Sequence, residues 1–278
     1  MKVRGALFGK TLAFILILML TLTIITASQM TLAQDSKVEA PEWKNGDDWY
    51  YRLERPEGDI AFKAKITSEH ATFKIDEKEY SCYMEERTWF LTNETITLKN
   101  FYQKKNLAEV GTIDANGKRH YFGEPLVRLD FPLQVGDYWE GNTLQYSQGA
   151  DEDAGKPQSK VNYTFRIMEK TTVSVPAGTF EAYKINGTII DTDPSNNGQP
   201  GGYGAYAHFY YSPKVRNYVK IANYYQQTEA GVQKLKSYNL TERNGNTNDS
   251  PFIGTLTMGA TAITMVAIYS VVKKNRED

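Results

Sequence analysis

Three observations predict an all-β fold of two tandem antiparallel units, curved like half-barrels and flanked by an N-terminal signal helix and a C-terminal transmembrane helix. Aromatic residues make up 13% of the 278, led by 19 tyrosines, and such side chains suit strands better than helices. Runs such as "AKITSEHATFKI" and "YTFRIMEKTTVSV" alternate with period two, and no stretch between the two apolar ends holds the i, i+3, i+4, i+7 pattern of a helix. Turn signals punctuate these runs at "RPEGD", "DANGK", "SNNGQPGG" and "TEAGVQ".

Bulk properties narrow the partners. With 32 basic and 33 acidic residues the net charge is −1, so no basic field for nucleic acid is visible. The single cysteine, Cys82, excludes an intrachain disulfide. Stability must come from an apolar core.

The two ends lie outside this fold. Residues 1–33 read as a signal peptide: Lys2, Arg4 and Lys10 precede the uncharged run Thr11–Ala27, and small residues at Thr31 and Ala33 mark cleavage between Ala33 and Gln34. An uncleaved anchor is the other reading, because ~17 apolar residues reach the lower edge of a bilayer span. Residues 251–272 carry no charge, and about 22 residues at ~1.5 Å each cover a hydrocarbon core of ~30 Å. Lys273, Lys274 and Arg276 in the tail 273–278 place the C-terminus in the cytoplasm. The polar stretch 242–250 reads as a flexible stalk.

This tail resembles the archaeal C-terminal sorting signals cut by archaeosortases, although "SPFIG" departs from their Pro-Gly-Phe motif. The expected location is therefore the cell membrane, with the ectodomain outside. Sequons at Asn93, Asn162, Asn186, Asn239 and Asn248 all fall between the two ends and are expected to carry glycan.

Between the ends the chain repeats itself, with a first unit at 34–130 and a second at 131–241. Gly46-Asp47-Asp48-Trp49 is echoed by Gly136-Asp137-Tyr138-Trp139. Further on, Phe73, Ile75, Tyr80, Cys82 and Tyr83 match Val173, Val175, Phe180, Ala182 and Tyr183, and "NFYQKKNLAEV" echoes "HFYYSPKVRNYV". Three anchors in one order point to an internal repeat. Each Gly-Asp reads as a turn that starts a strand, and each Trp as the large ring that strand buries. Pro176-Ala177-Gly178 marks a hairpin; Asp76-Glu77 holds its place in the first unit with no Gly, so that turn must differ.

Leu133-Gln134-Val135-Gly136, Val175-Pro176-Ala177-Gly178-Thr179-Phe180 and Tyr211-Ser212-Pro213-Lys214-Val215 are similar to motifs of a TapB-like family of uncharacterised prokaryotic envelope proteins, with Arg216 where that family has Gly. The resemblance covers residues ~131–240. It implies half-barrels of the LolA/LolB type, able to hold an apolar ligand, and implies no reaction.

Chemistry is sparse. His70, His120 and His208 stand far apart, with no His-Glu-x-x-His and no Cys-x-x-Cys, so no zinc site is expected. Cys82 reads as a small buried residue, matching Ala182. "GADEDAG" (149–155) and "DTDPSNN" (191–197) lack the calcium-loop pattern, and "GQPGGYG" (198–204) lacks a phosphate-binding one. Tyr203, Tyr206, Tyr210 and Tyr211 could line an apolar or sugar-binding concavity, or pack both faces of a central strand. The expectation is a membrane-anchored, non-catalytic surface protein with no cofactor, acting in binding or envelope structure with an apolar ligand or an envelope protein as partner. A lipid carrier with a half-barrel cavity is the alternative. A secreted hydrolase would require paired carboxylates or a Ser–His pair.

Overall fold

The computed structural model describes residues 37–148, 157–192, 200–201, 205–225 and 227–242. The signal segment with Ala33 and Gln34, the span 251–272, the tail 273–278, the stalk from 243 with Asn248, the segments 149–156 and 193–199, and Tyr203 lie outside the described residues.

The repeated Gly-Asp turns fold alike. Gly46 and Gly136 take φ of 97° and 96°, a region costly for residues with a Cβ. Gly46 N donates to Ile66 O and Gly136 N to Ile167 O, each at 2.9 Å. The Asp47 carboxylate accepts from Lys44 N at 2.9 Å, and the Asp137 carboxylate from Gln134 N at 2.7 Å. Each turn launches a strand bearing a tryptophan whose indole N–H reaches a backbone carbonyl: Trp49 to Val215 at 2.7 Å and Trp139 to Val127 at 3.1 Å.

Thirteen strands follow in order: β1 (Asp48–Glu54), β2 (Ile60–Ile75), β3 (Lys78–Phe90), β4 (Thr95–Gln103), β5 (Glu109–Ile113), β6 (Arg119–Leu126), β7 (Tyr138–Gln148), β8 (Ser159–Val175), β9 (Gly178–Thr192), β10 (Pro200–Gly201), β11 (Ala205–Ser212), β12 (Asn217–Tyr225) and β13 (Thr228–Asn239). All pair antiparallel. The order runs from β1 through β9, then to β11, β12 and β13, and back to β1, while β10 adds a short edge on β9. The half-barrel expectation is corrected here: β6 pairs with β7 and β13 with β1, so twelve strands close into one barrel. Closure leaves no bare edge in the ring, which is how barrels avoid edge-to-edge association.

The register places the same features in both halves. The β2–β3 and β8–β9 hairpins turn through two residues, 76–77 and 176–177. Asp76 takes φ of 51° where the first unit lacks glycine, and Gly178 takes 133° in the second. The β4–β5 and β11–β12 pairings both slip at a bulge, at Phe101/Tyr102 and Tyr210/Tyr211. Leu107 and Arg216, in the turns that follow, adopt φ of 57° and 56°. That left-handed geometry is why glycine suits the position Arg216 occupies.

The interior is packed. Trp49, Tyr51, Phe62, Ala64 and Ile66 are buried in one cluster with Trp43 and Tyr83. Trp139, Phe165, Ile167, Ile185, Phe209 and Tyr211 are buried in a second. Glycines are placed where rings pass: a Cβ on Gly141 would run into the Tyr163 side chain, and one on Gly187 would meet Phe165 at 2.5 Å. Strand bulges at Ile66/Ser68 and Ile167/Glu169 shift the parity of the two long hairpins. The first hairpin can then pack Phe73, Ile75, Tyr80 and Cys82 against Phe101, Val110 and Tyr121 in a third cluster. The chain arrives and leaves at one end of the barrel, where Thr241 N donates to Asp47 Oδ1 at 2.6 Å and Thr241 Oγ1 to Asn45 O at 3.1 Å.

Candidate functional sites

The aromatic run of β11 divides between two faces. Tyr211 is 1% exposed and points inward with Phe209. Tyr206 and Tyr210 lie on the opposite face with His208, so these tyrosines do not share one concavity. Tyr206 stacks on Tyr224 at 4.8 Å and 9°, and His208 lies 5.6 Å from Tyr206 and 5.1 Å from Tyr224. Lys220 Nζ sits 5.4 Å over the Tyr210 ring, and Lys184 bonds Glu169 at 3.1 Å. Burial holds the His208 imidazole below its usual pKa, and Lys184 and Lys220 add to that. The ring is neutral at physiological pH and can both donate and accept. Because β11 begins and β12 ends beside Tyr206 and Tyr224, this patch lies at the end of the barrel opposite the one where the chain arrives and leaves.

A second arrangement was not legible in the sequence. Ser147 and His120 are cross-strand partners of β7 and β6. Ser147 Oγ lies 2.6 Å from His120 Nδ1, and His120 Nε2 lies 3.5 Å from Asp114 Oδ2. A serine, a histidine and an aspartate in line are the parts of a nucleophile relay. The setting differs from one. Ser147 sits inside a strand, 8% exposed, whereas a nucleophile elbow presents its hydroxyl on a sharp turn. Asp114 Oδ1 is also engaged by the amides of Asn116 and Lys118, capping its own turn. Burial lowers the His120 pKa despite the hydrogen bond that the imidazole donates to the Asp114 carboxylate.

The third site is inside the barrel. Glu85, Arg87 and Asn100 are 1%, 1% and 2% exposed. Arg87 Nη2 donates to Glu85 Oε1 at 2.5 Å and to the Tyr102 hydroxyl at 2.9 Å. Asn100 Nδ2 donates to the same Glu85 oxygen at 3.0 Å, and Thr112 Oγ1 to Asn100 Oδ1 at 2.8 Å. Arg128 Nη2 donates to Glu109 Oε2 at 2.5 Å. Burial works against the Arg87 charge, but Glu85, Tyr102 and Glu109 outweigh it and push its pKa up. The sequence held one clue: Tyr83, Glu85, Arg87 and Trp89 have one parity, so two charges share a face with two large rings.

The remaining residues fall plainly. Cys82 is buried and burial pushes its thiol pKa up to about 12, which makes it unreactive. Among the described residues no group of His, Cys, Asp and Glu could hold a metal ion. Asn93, Asn186 and Asn239 are exposed, while Asn162 is half-buried within β8. Asn162, Glu140 and Thr188 line a surface depression of about 260 Å³.

No family model matches this sequence, and no curated protein matches it; the TapB-like and LolA/LolB-like resemblance finds no support there. Two solved structures are similar in fold. One is described as an exported protein with a YmcC-like fold from Bacteroides fragilis: 11% identity, 73% of this chain and 100% of the other, TM-score 0.44. The other is described as a lipoprotein from Parabacteroides distasonis: 12% identity, 74% and 100% coverage, TM-score 0.40. Neither likeness is close enough to carry a function to this chain.

Proposed function

We propose that this chain is a membrane-tethered, non-catalytic binding protein of the cell envelope, formed by duplication of a six-strand unit and engaging saccharide through the outer face of β11 and β12. The observation that carries the reading is the Tyr206–His208–Tyr224 cluster, set on an outward face at the end away from the chain termini. Stacked rings beside an imidazole and the Lys184 and Lys220 ammonium groups suit a sugar, whose C–H faces pack on aromatics while its hydroxyls find donors and acceptors. The buried inward side chains of both clusters argue against the lipid-carrier alternative.

The test uses the full chain in detergent, passed over a panel of insoluble polysaccharides. Retention on at least one is expected, falling at least about tenfold in Tyr206→Ala/Tyr224→Ala, a loss of about 1.4 kcal/mol or more, with melting unchanged. Failure of every saccharide to retain the protein, or unchanged retention of the variant, overturns the reading. The Ser147–His120–Asp114 line favours a hydrolase as the second reading. A fluorophosphonate probe decides it in the same preparation: covalent labelling of Ser147, lost in Ser147→Ala, would install that reading instead.

A further inference from the structure

The two halves of the barrel fill equivalent inward positions with opposite chemistry. Tyr83 and Tyr183 correspond, and each pairs with a tyrosine of the next strand, Tyr102 and Tyr211. One step along, Glu85 pairs with Asn100 and Asn100 with Thr112, where the second half pairs Ile185 with Phe209 and Phe209 with Ile221. At the next step Arg87 stands opposite Leu98, and Gly187 opposite Ala207. The second half shows that this fold builds these positions from apolar residues and glycine. Replacing a buried ion pair by apolar groups is commonly neutral or stabilising, so the charges in the first half are not explained by stability.

The unpaired atoms of this cluster are all of one kind. Arg87 Nε, Trp89 Nε1, Arg128 Nε and Arg128 Nη1 are buried with no hydrogen-bond partner among the described residues. Arg87 and Trp89 are each 1% exposed and Arg128 is 7% exposed. A guanidinium and an indole N–H can only donate. No oxygen of Glu85 or Glu109 is among the buried unpartnered atoms. The two arginines belong to one environment: Arg87 Nη2 bonds the Tyr102 hydroxyl, Tyr102 is the cross-strand partner of Glu109, and Glu109 accepts from Arg128 Nη2. The cluster therefore has four unpartnered donor atoms, three of them on its two cations, and no unpartnered buried carboxylate oxygen. A buried donor left unmade costs the full desolvation of that group, more when it is charged. An acceptor-rich anion satisfies several such donors together, through the strong charge-assisted bonds guanidinium groups make with oxyanions.

We propose that the polar interior around Arg87, Trp89 and Arg128 is a binding site for one small oxyanion, a carboxylate or a phosphate group. This is independent of the saccharide face, which lies on the outside of the other half of the barrel.

The experiment is a thermal melt of the full chain in detergent, titrated separately with sodium phosphate and sodium acetate at constant ionic strength held by sodium chloride. A ligand that binds only the folded state raises the midpoint as its concentration exceeds its Kd. A saturable rise with phosphate alone identifies a phosphate-type ligand, and a rise with acetate alone a carboxylate; either supports the site. Arg128→Met is expected to abolish the rise. Because that variant leaves Glu109 unpaired and can fail to fold, Trp89→Phe serves as the second: it removes one donor without stranding a charge, and the half-saturating concentration should increase about threefold to tenfold. Midpoints that follow ionic strength alone, or a response unchanged in both variants, would mean that the donors hold only water, and would overturn the proposal.

Discussion

Trp49→Ala should lower the stability of the protein by about 3–5 kcal/mol, the range for deleting a fully buried large aromatic. Trp49 has no exposed surface. Its ring lies 5.4 Å from Trp43, and its indole N–H bonds Val215 O in the turn between β11 and β12. It also stands at the junction where β1 pairs with β13 on one side and β2 on the other, opposite Tyr238 and Ala64. The substitution removes packing from the first half and a hydrogen bond to the second in one step. Tyr138→Ala is the control: Tyr138 is 55% exposed beside the equivalent tryptophan, and surface changes of that kind stay within about 0.5 kcal/mol. Urea unfolding reads both. A loss below about 1 kcal/mol in Trp49→Ala would show that the ring is not in the core.

Glu85→Ile is expected to cost about as much, 3–5 kcal/mol, because it leaves the Arg87 cation buried without its carboxylate. Both side chains of the pair are 2% exposed, so water cannot take over. The double variant Glu85→Ile/Arg87→Met should recover most of that loss, since it removes the stranded charge and copies the apolar character of Ile185 in the other half. The signature is non-additivity by the same unfolding assay: the second substitution stabilises the first. If the double variant is as unstable as the sum of the singles, the network is a structural requirement and the case for an oxyanion site weakens with it. If it regains stability but loses the anion response, stability and binding have been separated.

The local devices of the fold were legible because they are written in adjacent residues. The Gly-Asp turns announce their positive φ and their capping carboxylates. The Pro176-Ala177 turn and its glycine-free counterpart at Asp76-Glu77 each close a long hairpin through two residues. Cys82 matches Ala182 as a buried small residue, as the repeat implied. Closure was not legible, since the pairing of β13 with β1 joins residues at opposite ends of the chain and no local pattern encodes it. The tyrosines divide as a period of two dictates, which is the reading in which the run packs both faces of a strand: Tyr206 and Tyr210 lie outside and Tyr211 inside, because the extra residue of the bulge opposite Tyr210/Tyr211 is Val219 of β12 and β11 itself stays regular. The contact of Ser147 with His120 depends on the register of β6 and β7, and the Arg128–Glu109 pair on how a loop folds back. Nothing in composition marks Glu85 and Arg87 as buried, and only their parity with Tyr83 and Trp89 in β3 points inward.

The sites and the stability of this protein depend on its strands forming one closed ring around a packed interior. Amide hydrogen exchange of the full chain in detergent, read for residues 48–54 and 232–239, tests this most directly. A closed barrel predicts that these amides, at the join between the first strand and the last, exchange as slowly as those of β3 and β8 and through the same global unfolding. Exchange of β1 or β13 amides orders of magnitude faster than β3, with β3 itself protected, would mean an open sheet with two free edges, and would contradict the account.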